Sequence, residues 1–189
     1  LEAMKEDFAD LDTVKGQIEK QLGIEAGREL SECIIFARNL LDTLTPRLAE
    51  RSRQGWVVDG HGDLHSRNIF LLPEPVIFDC IEFNPHFREV DVLNELAFLS
   101  MDLDFYGARY LEEPLLQAYL RENPCISDDA DWAIFSYYKW YRANVRLKVN
   151  ALKAMQNGNA GTESNVEEYW QLFITYYHML VEEGVRRFN

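Results

Sequence analysis

His61-Gly62-Asp63-Leu64-His65-Ser66-Arg67-Asn68-Ile69-Phe70-Leu71-Leu72-Pro73-Glu74-Pro75-Val76-Ile77-Phe78-Asp79-Cys80-Ile81-Glu82 is the stretch on which the fold turns. Apolar runs frame its polar octet: Trp56-Val57-Val58 come before it, Ile69-Phe70-Leu71-Leu72 after it, and Val76-Ile77-Phe78 last. Short apolar runs bounded by Gly and Pro read as buried strands. Pro73-Glu74-Pro75 supplies a tight connection between the second and third runs. His61 to Asn68 is then a loop held between strands, and Asp79 stands at the end of the last strand. A rigid hairpin brings Asn68 and Asp79 close together and sets Asp63 on the same small patch.

Outward from this centre the chain reads as helical. Phe8, Leu11, Val14, Ile18 and Leu22 are spaced for a modest amphipathic helix over residues 1–22, broken by Gly23 and Gly27. Leu30, Ile34, Ala37, Leu41, Leu44 and Leu48 recur at three and four, one face of a helix from about Arg28 to Arg53. Pro46 is expected to kink or split it. Beyond Glu82, Phe83-Asn84-Pro85-His86-Phe87 reads as a loop by its Asn-Pro step. Val90, Leu93, Leu96, Ala97, Leu99 and Met101 predict a helix buried nearly all round. Pro114 suits the first turn of another, to about Arg121, and Asn123-Pro124 stops it. Asp128 can cap a long helix from Asp129 to about Met155. A loop over Gln156 to Gly161 follows, then a capping box of Ser164 and Glu167. The last helix would turn Val166, Tyr169, Trp170, Phe173, Tyr177 and Leu180 inward. The expected fold class is α+β and mostly helical, a single domain over residues 1–189 carrying a small β-hairpin.

Composition narrows the partners. The 189 residues suffice for one real core, and 47% are hydrophobic against 27% charged. With 32 Asp and Glu against 19 Lys and Arg, the net charge of −13 repels nucleic acid and anionic membranes. The same field favours a cationic substrate, weakly, because salt screens it. Cys33, Cys80 and Cys125 form no CxxC pair, so they read as reduced thiols in a cytoplasmic protein. No stretch approaches the roughly 18 unbroken apolar residues of a membrane span, and no signal peptide is visible.

The spacing of the central oxygens suggests a chemistry. Phosphoryl transfer needs a carboxylate that orients the attacking hydroxyl and accepts its proton. It also needs magnesium, which prefers hard oxygen ligands such as Asn and Asp. The general kinase pattern is H-R-D-x-x-x-x-N followed by D-F-G. His61-Gly62-Asp63 with Asn68 matches the first part, and Asp79 stands where the metal-binding Asp is required. Cys80-Ile81 follows in place of Phe-Gly, a departure from the protein-kinase form.

With that departure, His61-Gly62-Asp63-Leu64-His65, Asn68-Ile69 and Ile77-Phe78-Asp79 resemble the aminoglycoside phosphotransferase family, which has a protein-kinase-like fold. The continuation Asp79-Cys80-Ile81-Glu82-Phe83-Asn84 and Asp91-Val92-Leu93-Asn94-Glu95-Leu96-Ala97-Phe98-Leu99 looks like a bacterial branch of uncharacterised members. The resemblance is specific between about Trp56 and Leu103. It implies the C-terminal lobe of a kinase-like fold and transfer of the γ-phosphate of ATP to a small-molecule hydroxyl. Asp63 would be the catalytic base, Asn68 and Asp79 the Mg2+ ligands at the nucleotide phosphates, and His61 the structural brace of the loop. His65 would lie near the transferring phosphate and hydrogen-bond it. Glu82 would be a substrate contact or an acceptor behind the metal ligands.

Other readings stand beside this one. His61, Asp63 and His65 alternate, so an extended strand would place all three on one face as a zinc or transition-metal site. Lys139, Arg142, Arg146 and Lys153 form one helical stripe, read first as a solvated face. The alternative for Arg142 and Arg146 is an anion-binding or partner-facing stripe beside the active cleft. No glycine-rich phosphate cover and no strand lysine paired with a helix glutamate are apparent. The motif begins at residue 61, too early for a full nucleotide-binding lobe before it. The chain is therefore expected to be one lobe of a larger phosphotransferase, its N-terminal lobe missing, and weak or inactive alone. The rival expectation is a non-catalytic binding or regulatory module.

Overall fold

The computed structural model describes residues 2–156 and 165–188, and the side chains of all of these up to residue 184. These residues are mostly helical with short strands, an α+β chain. Helices α1 (Glu2–Ala9) and α2 (Lys15–Leu22) flank a 3-10 turn at Asp10–Val14. Helix α3 (Ile24–Arg53) leads to strands β1 (Val57–Asp59), β2 (Ile69–Phe70) and β3 (Val76–Ile77). Strand β4 (Glu89–Asp91) runs into α4 (Val92–Phe105), followed by α5 (Glu112–Glu122), α6 (Asp129–Gln156) and α7 (Val166–Phe188). The chain divides into two compact units: the described parts of Leu1–Thr45 with Trp140–Asn189, and Pro46–Lys139. The predicted loop over residues 157–161 and Ser164 of the predicted capping box lie outside the described residues.

In the first unit, apolar positions repeating at three and four become the core. Phe8, Leu11, Val14 and Ile18 are buried, as are Leu30, Cys33, Ala37 and Leu41 of α3. Trp140 is fully buried, its ring 4.8 Å from Phe8, 5.8 Å from Phe36 and 5.3 Å from Phe173. Each such aromatic pair adds about 0.5–1.5 kcal/mol beyond its area. On α7 the inward set is Val166, Tyr169, Trp170, Phe173, Tyr176 and Leu180, with Tyr176 rather than Tyr177 fully buried. Gly23, at φ 96°, ends α2 as expected. Gly27 does not break the helix; it lies inside α3 with the side chain of Glu19 in the space a Cβ would take. Nor does Pro46 split α3, which stays one helix of 30 residues.

The second unit is built on an ion network that spacing did not reveal. Arg51, 0% exposed, donates from Nε and Nη2 to both oxygens of Asp91 at 2.7 and 2.8 Å. Its Nη1 donates to Asp131 Oδ1 at 2.9 Å and to the Cys125 carbonyl at 2.6 Å. Arg47 grips the same Asp131 at 3.0 and 2.8 Å, and Ser127 donates its backbone N–H to it at 2.9 Å. Asp91 also caps α4 by accepting the Leu93 N–H at 2.9 Å. One guanidinium thus joins the end of α3, the start of α4 and the start of α6. Asp128 caps α6 as expected, accepting from the N–H groups of Ala130 and Asp131 at 3.0 and 3.1 Å.

Three expectations are corrected here. Val90 does not belong to the buried helix; it lies in β4, which pairs antiparallel with β1, Val58 opposite Val90. The apolar runs are not buried: Phe70 is 55% exposed, Leu71 87% and Ile77 56%. Strands β2 and β3 pair only with each other, and no layer of the described residues covers them. The basic stripe is a solvated face only toward its far end: Lys153 is exposed, but Lys139 is 5% and Arg142 8% exposed. Lys139 is buried because Asp104 at 2.9 Å and Glu112 neutralise it, whereas Arg142 lies over the Tyr141 ring at 5.8 Å.

Removing Arg51 strands two buried carboxylates, so Arg51→Met is expected to destabilise the chain by about 3–5 kcal/mol in urea unfolding. A loss under about 1 kcal/mol would contradict the network's importance. Burial opposes ionisation of Asp131, but hydrogen bonds from Arg47, the Ser127 N–H and Arg51 override it and hold the carboxyl well below its ordinary range. A depressed folded-state pKa stabilises fully above the unfolded value of about 4 and loses that stabilisation as pH falls further. The urea midpoint should therefore drop below about pH 4, and less steeply in Asp131→Asn.

Candidate functional site

The loop from His61 to Asn68 is fastened on three sides within the second unit. His61 Nε2 lies 2.8 Å from the Phe78 carbonyl, and its Nδ1 accepts the Asp63 N–H at 3.3 Å. The ring is then neutral with its proton on Nε2, since a carbonyl only accepts and an N–H only donates. The Ile81 N–H donates to the His61 carbonyl at 3.1 Å. On the α4 side, Glu95 Oε1 accepts the Gly62 N–H at 2.6 Å. Asp102 accepts the Ser66 N–H at 2.8 Å and also its hydroxyl. Gly62 is required twice over: φ is 82°, and a Cβ there would lie 2.7 Å from the Phe87 carbonyl oxygen.

Three of the proposed site residues are linked through this framework. Asn68, 5% exposed, donates its Nδ2 to the Asp63 carbonyl at 3.0 Å. Its own carbonyl accepts the Phe78 N–H at 3.0 Å, extending the ladder in which Ile69 faces Ile77. Asp79 therefore comes one residue past Asn68's cross-strand partner. Asp79 is exposed and has φ 62°, the one positive φ outside glycine among the described residues. Such backbone costs energy and concentrates at functional sites. With its NH2 tied to Asp63, the Asn68 amide is left with its oxygen, a hard donor like the carboxylate of Asp79.

Asp63 keeps a side chain 41% exposed, with Oδ2 at 3.3 Å from His65 Nε2. His65 is 6% exposed and packs its ring 5.6 Å from that of Phe98. So little exposure leaves the ring turned into the protein rather than toward solvent. Glu82 is exposed, and after Asp59 it adds to the negative field that raises the pKa of Arg88. Arg142 and Arg146 belong to the first unit, Asp63, Asn68 and Asp79 to the second.

The transition-metal reading is not supported. His61 spends both ring nitrogens on hydrogen bonds, and the turn at Gly62 interrupts the extended alternation it required. Among the described residues no group of three His, Cys, Asp or Glu side chains is placed to hold a metal. Cys33, Cys80 and Cys125 are free thiols. No described helix is long and apolar enough to cross a membrane. Glu95 and Asp102, which hold the loop to α4, were not singled out by sequence reasoning. Their only signal is that buried acidic residues stand in a mostly apolar helix that also carries Asp104.

No family model matches the chain, and no solved structure matches it. Over 109 residues it is 38% identical to uncharacterized proteins of Mycobacterium tuberculosis and Mycobacterium bovis. The matched stretch is 57% of this chain and 21% of each relative, so the chain spans about a fifth of the length of the curated relatives it matches.

Gly62→Ala should strain the loop by both φ and contact, costing about 1–3 kcal/mol in urea unfolding. A neutral effect would mean that the Phe87 carbonyl yields without loss.

Proposed function

We propose that this chain is the catalytic-loop lobe of an ATP-dependent phosphotransferase, similar to the aminoglycoside phosphotransferases, acting on a hydroxyl of a small molecule. The observation that carries the reading is the bonded chain from Asp63 through Asn68 to the end of β3, which tethers two hard oxygen donors to one exposed carboxylate. In this reading Asp63 orients the acceptor hydroxyl and takes its proton as the oxygen attacks. Asn68 Oδ1 and the carboxylate of Asp79 fit Mg2+, whose preference is for hard oxygens. These two residues would hold the metal, which would supply positive charge against the nucleotide phosphates. Bound to Phe78 and Asp63, His61 keeps the loop in register and takes no part in proton transfer.

The exposed apolar hairpin supports a second part of the proposal, a separate nucleotide-binding lobe. Two strands of two residues are marginal in water. Phe70, Leu71, Leu72, Val76 and Ile77 are all exposed here. An apolar surface of this kind marks a face that another body covers. The longer polypeptide of which such a lobe would be part is also where acceptor and nucleotide would meet.

In the full-length protein, Asp63→Asn is expected to lower transfer about 10²–10⁴-fold while sparing Mg-ATP binding. Asp79→Asn is expected to weaken the magnesium-dependent part of nucleotide binding. Undiminished transfer in Asp63→Asn, or no magnesium-dependent nucleotide binding by the full-length protein, would overturn the reading. The 189-residue chain alone should bind Mg-ATP weakly, as isothermal calorimetry can check.

A further inference from the structure

The geometry points to His65 as a positioning residue that clamps the carboxylate of Asp63, rather than a phosphate contact or a proton relay. This inference rests on the phosphotransferase reading for its catalytic meaning, but its structural core does not. His65 Nε2 faces Asp63 Oδ2 at 3.3 Å. Its Nδ1 is buried and has no partner among the described residues. The ring is 6% exposed against Phe98. Two consequences follow from what an imidazole can do.

The tautomer is decided first. A proton on Nδ1 would be an unsatisfied buried donor, and it would turn the Nε2 lone pair toward a carboxylate, so both ends would be unfavourable. A proton on Nε2 instead faces the Asp63 carboxylate, at the cost of one unpartnered acceptor. The second consequence concerns the proton that Asp63 accepts. A relay needs a second acceptor beyond the ring, and Nδ1 leads to none among the described residues. The proton therefore leaves Asp63 through its exposed side. His65 holds the Oδ2 side of the carboxylate in place.

The backbone makes the clamp rigid. Residues 65 and 66 are pinned by the Asn68 N–H on the His65 carbonyl at 2.9 Å and by the Ser66 N–H on Asp102 at 2.8 Å. The ring cannot swing toward a phosphate without breaking the packing on Phe98.

The test has two arms. Imidazole nitrogen NMR of the 189-residue chain should show His65 as the neutral Nε2–H tautomer with a slowly exchanging proton. In Asp63→Ala that protection should be lost. A wild-type Nδ1–H ring, or a spectrum unchanged by Asp63→Ala, would overturn the clamp whether or not the protein is a kinase. In the full-length protein, His65→Phe should lower kcat about 10- to 100-fold with KM for ATP unchanged, the scale of a misplaced reacting group. His65→Gln, which retains a donor near the Nε2 position, should restore most of kcat, and His65→Lys should not. Rescue by Lys, or a raised KM for ATP in His65→Phe, would assign His65 to the phosphate instead. Absence of any transfer by the wild-type protein would sink the phosphotransferase reading alone, and the NMR arm would still decide the clamp.

Discussion

A single buried guanidinium sets the geometry of the second unit. Arg51 is closed off from water and divides its donors between Asp91, Asp131 and the Cys125 carbonyl. Taking these charges from water is costly, and their mutual attraction offsets that cost only when nearly every donor and acceptor is matched. The matching is close here, and Arg47 and Ser127 satisfy what Arg51 leaves of Asp131. The return on this arrangement is positional. Asp91 cannot move without losing Arg51 or the N-cap of α4, so the start of α4 is tied to the end of α3.

That tie reaches the candidate site through α4. Glu95 and Asp102 lie on this helix, and each holds one end of the loop by accepting a backbone N–H. His61 holds the loop to the end of β3. With anchors at Gly62, Ser66 and Asn68, the side chains of Asp63 and His65 lie 3.3 Å apart. The exposed carboxylate of Asp79 is supplied by the opposite strand, from a left-handed residue that ends the ladder. The site is thus a loop whose precision is borrowed from a helix and a hairpin rather than from its own packing.

Much of the helical plan was legible because it rests on local rules. Apolar positions at three and four marked α3 and α7, and Asp128 and Pro114 marked the starts of helices by the groups they satisfy or lack. Gly27 and Pro46 misled for a common reason. Residues that weaken an isolated helix are tolerated when a neighbour needs the space, as Glu19 does, or when the rest of a long helix carries the turn. The apolar runs around the loop misled in another way, since an apolar pattern records that a surface is to be covered and not what covers it.

The amino-acid sequence by itself determined the helices, the hairpin and the spacing of Asp63, Asn68 and Asp79, because each depends on near neighbours along the chain. Tertiary structure alone decided that Arg51 would reach Asp91 and Asp131, forty and eighty residues away. It also decided that His65 would turn into the protein against Phe98, and that Lys139 would be buried between Asp104 and Glu112. Charge pairing and ring packing act through space and leave no period in the chain, so their partners become visible only once the backbone has brought them together.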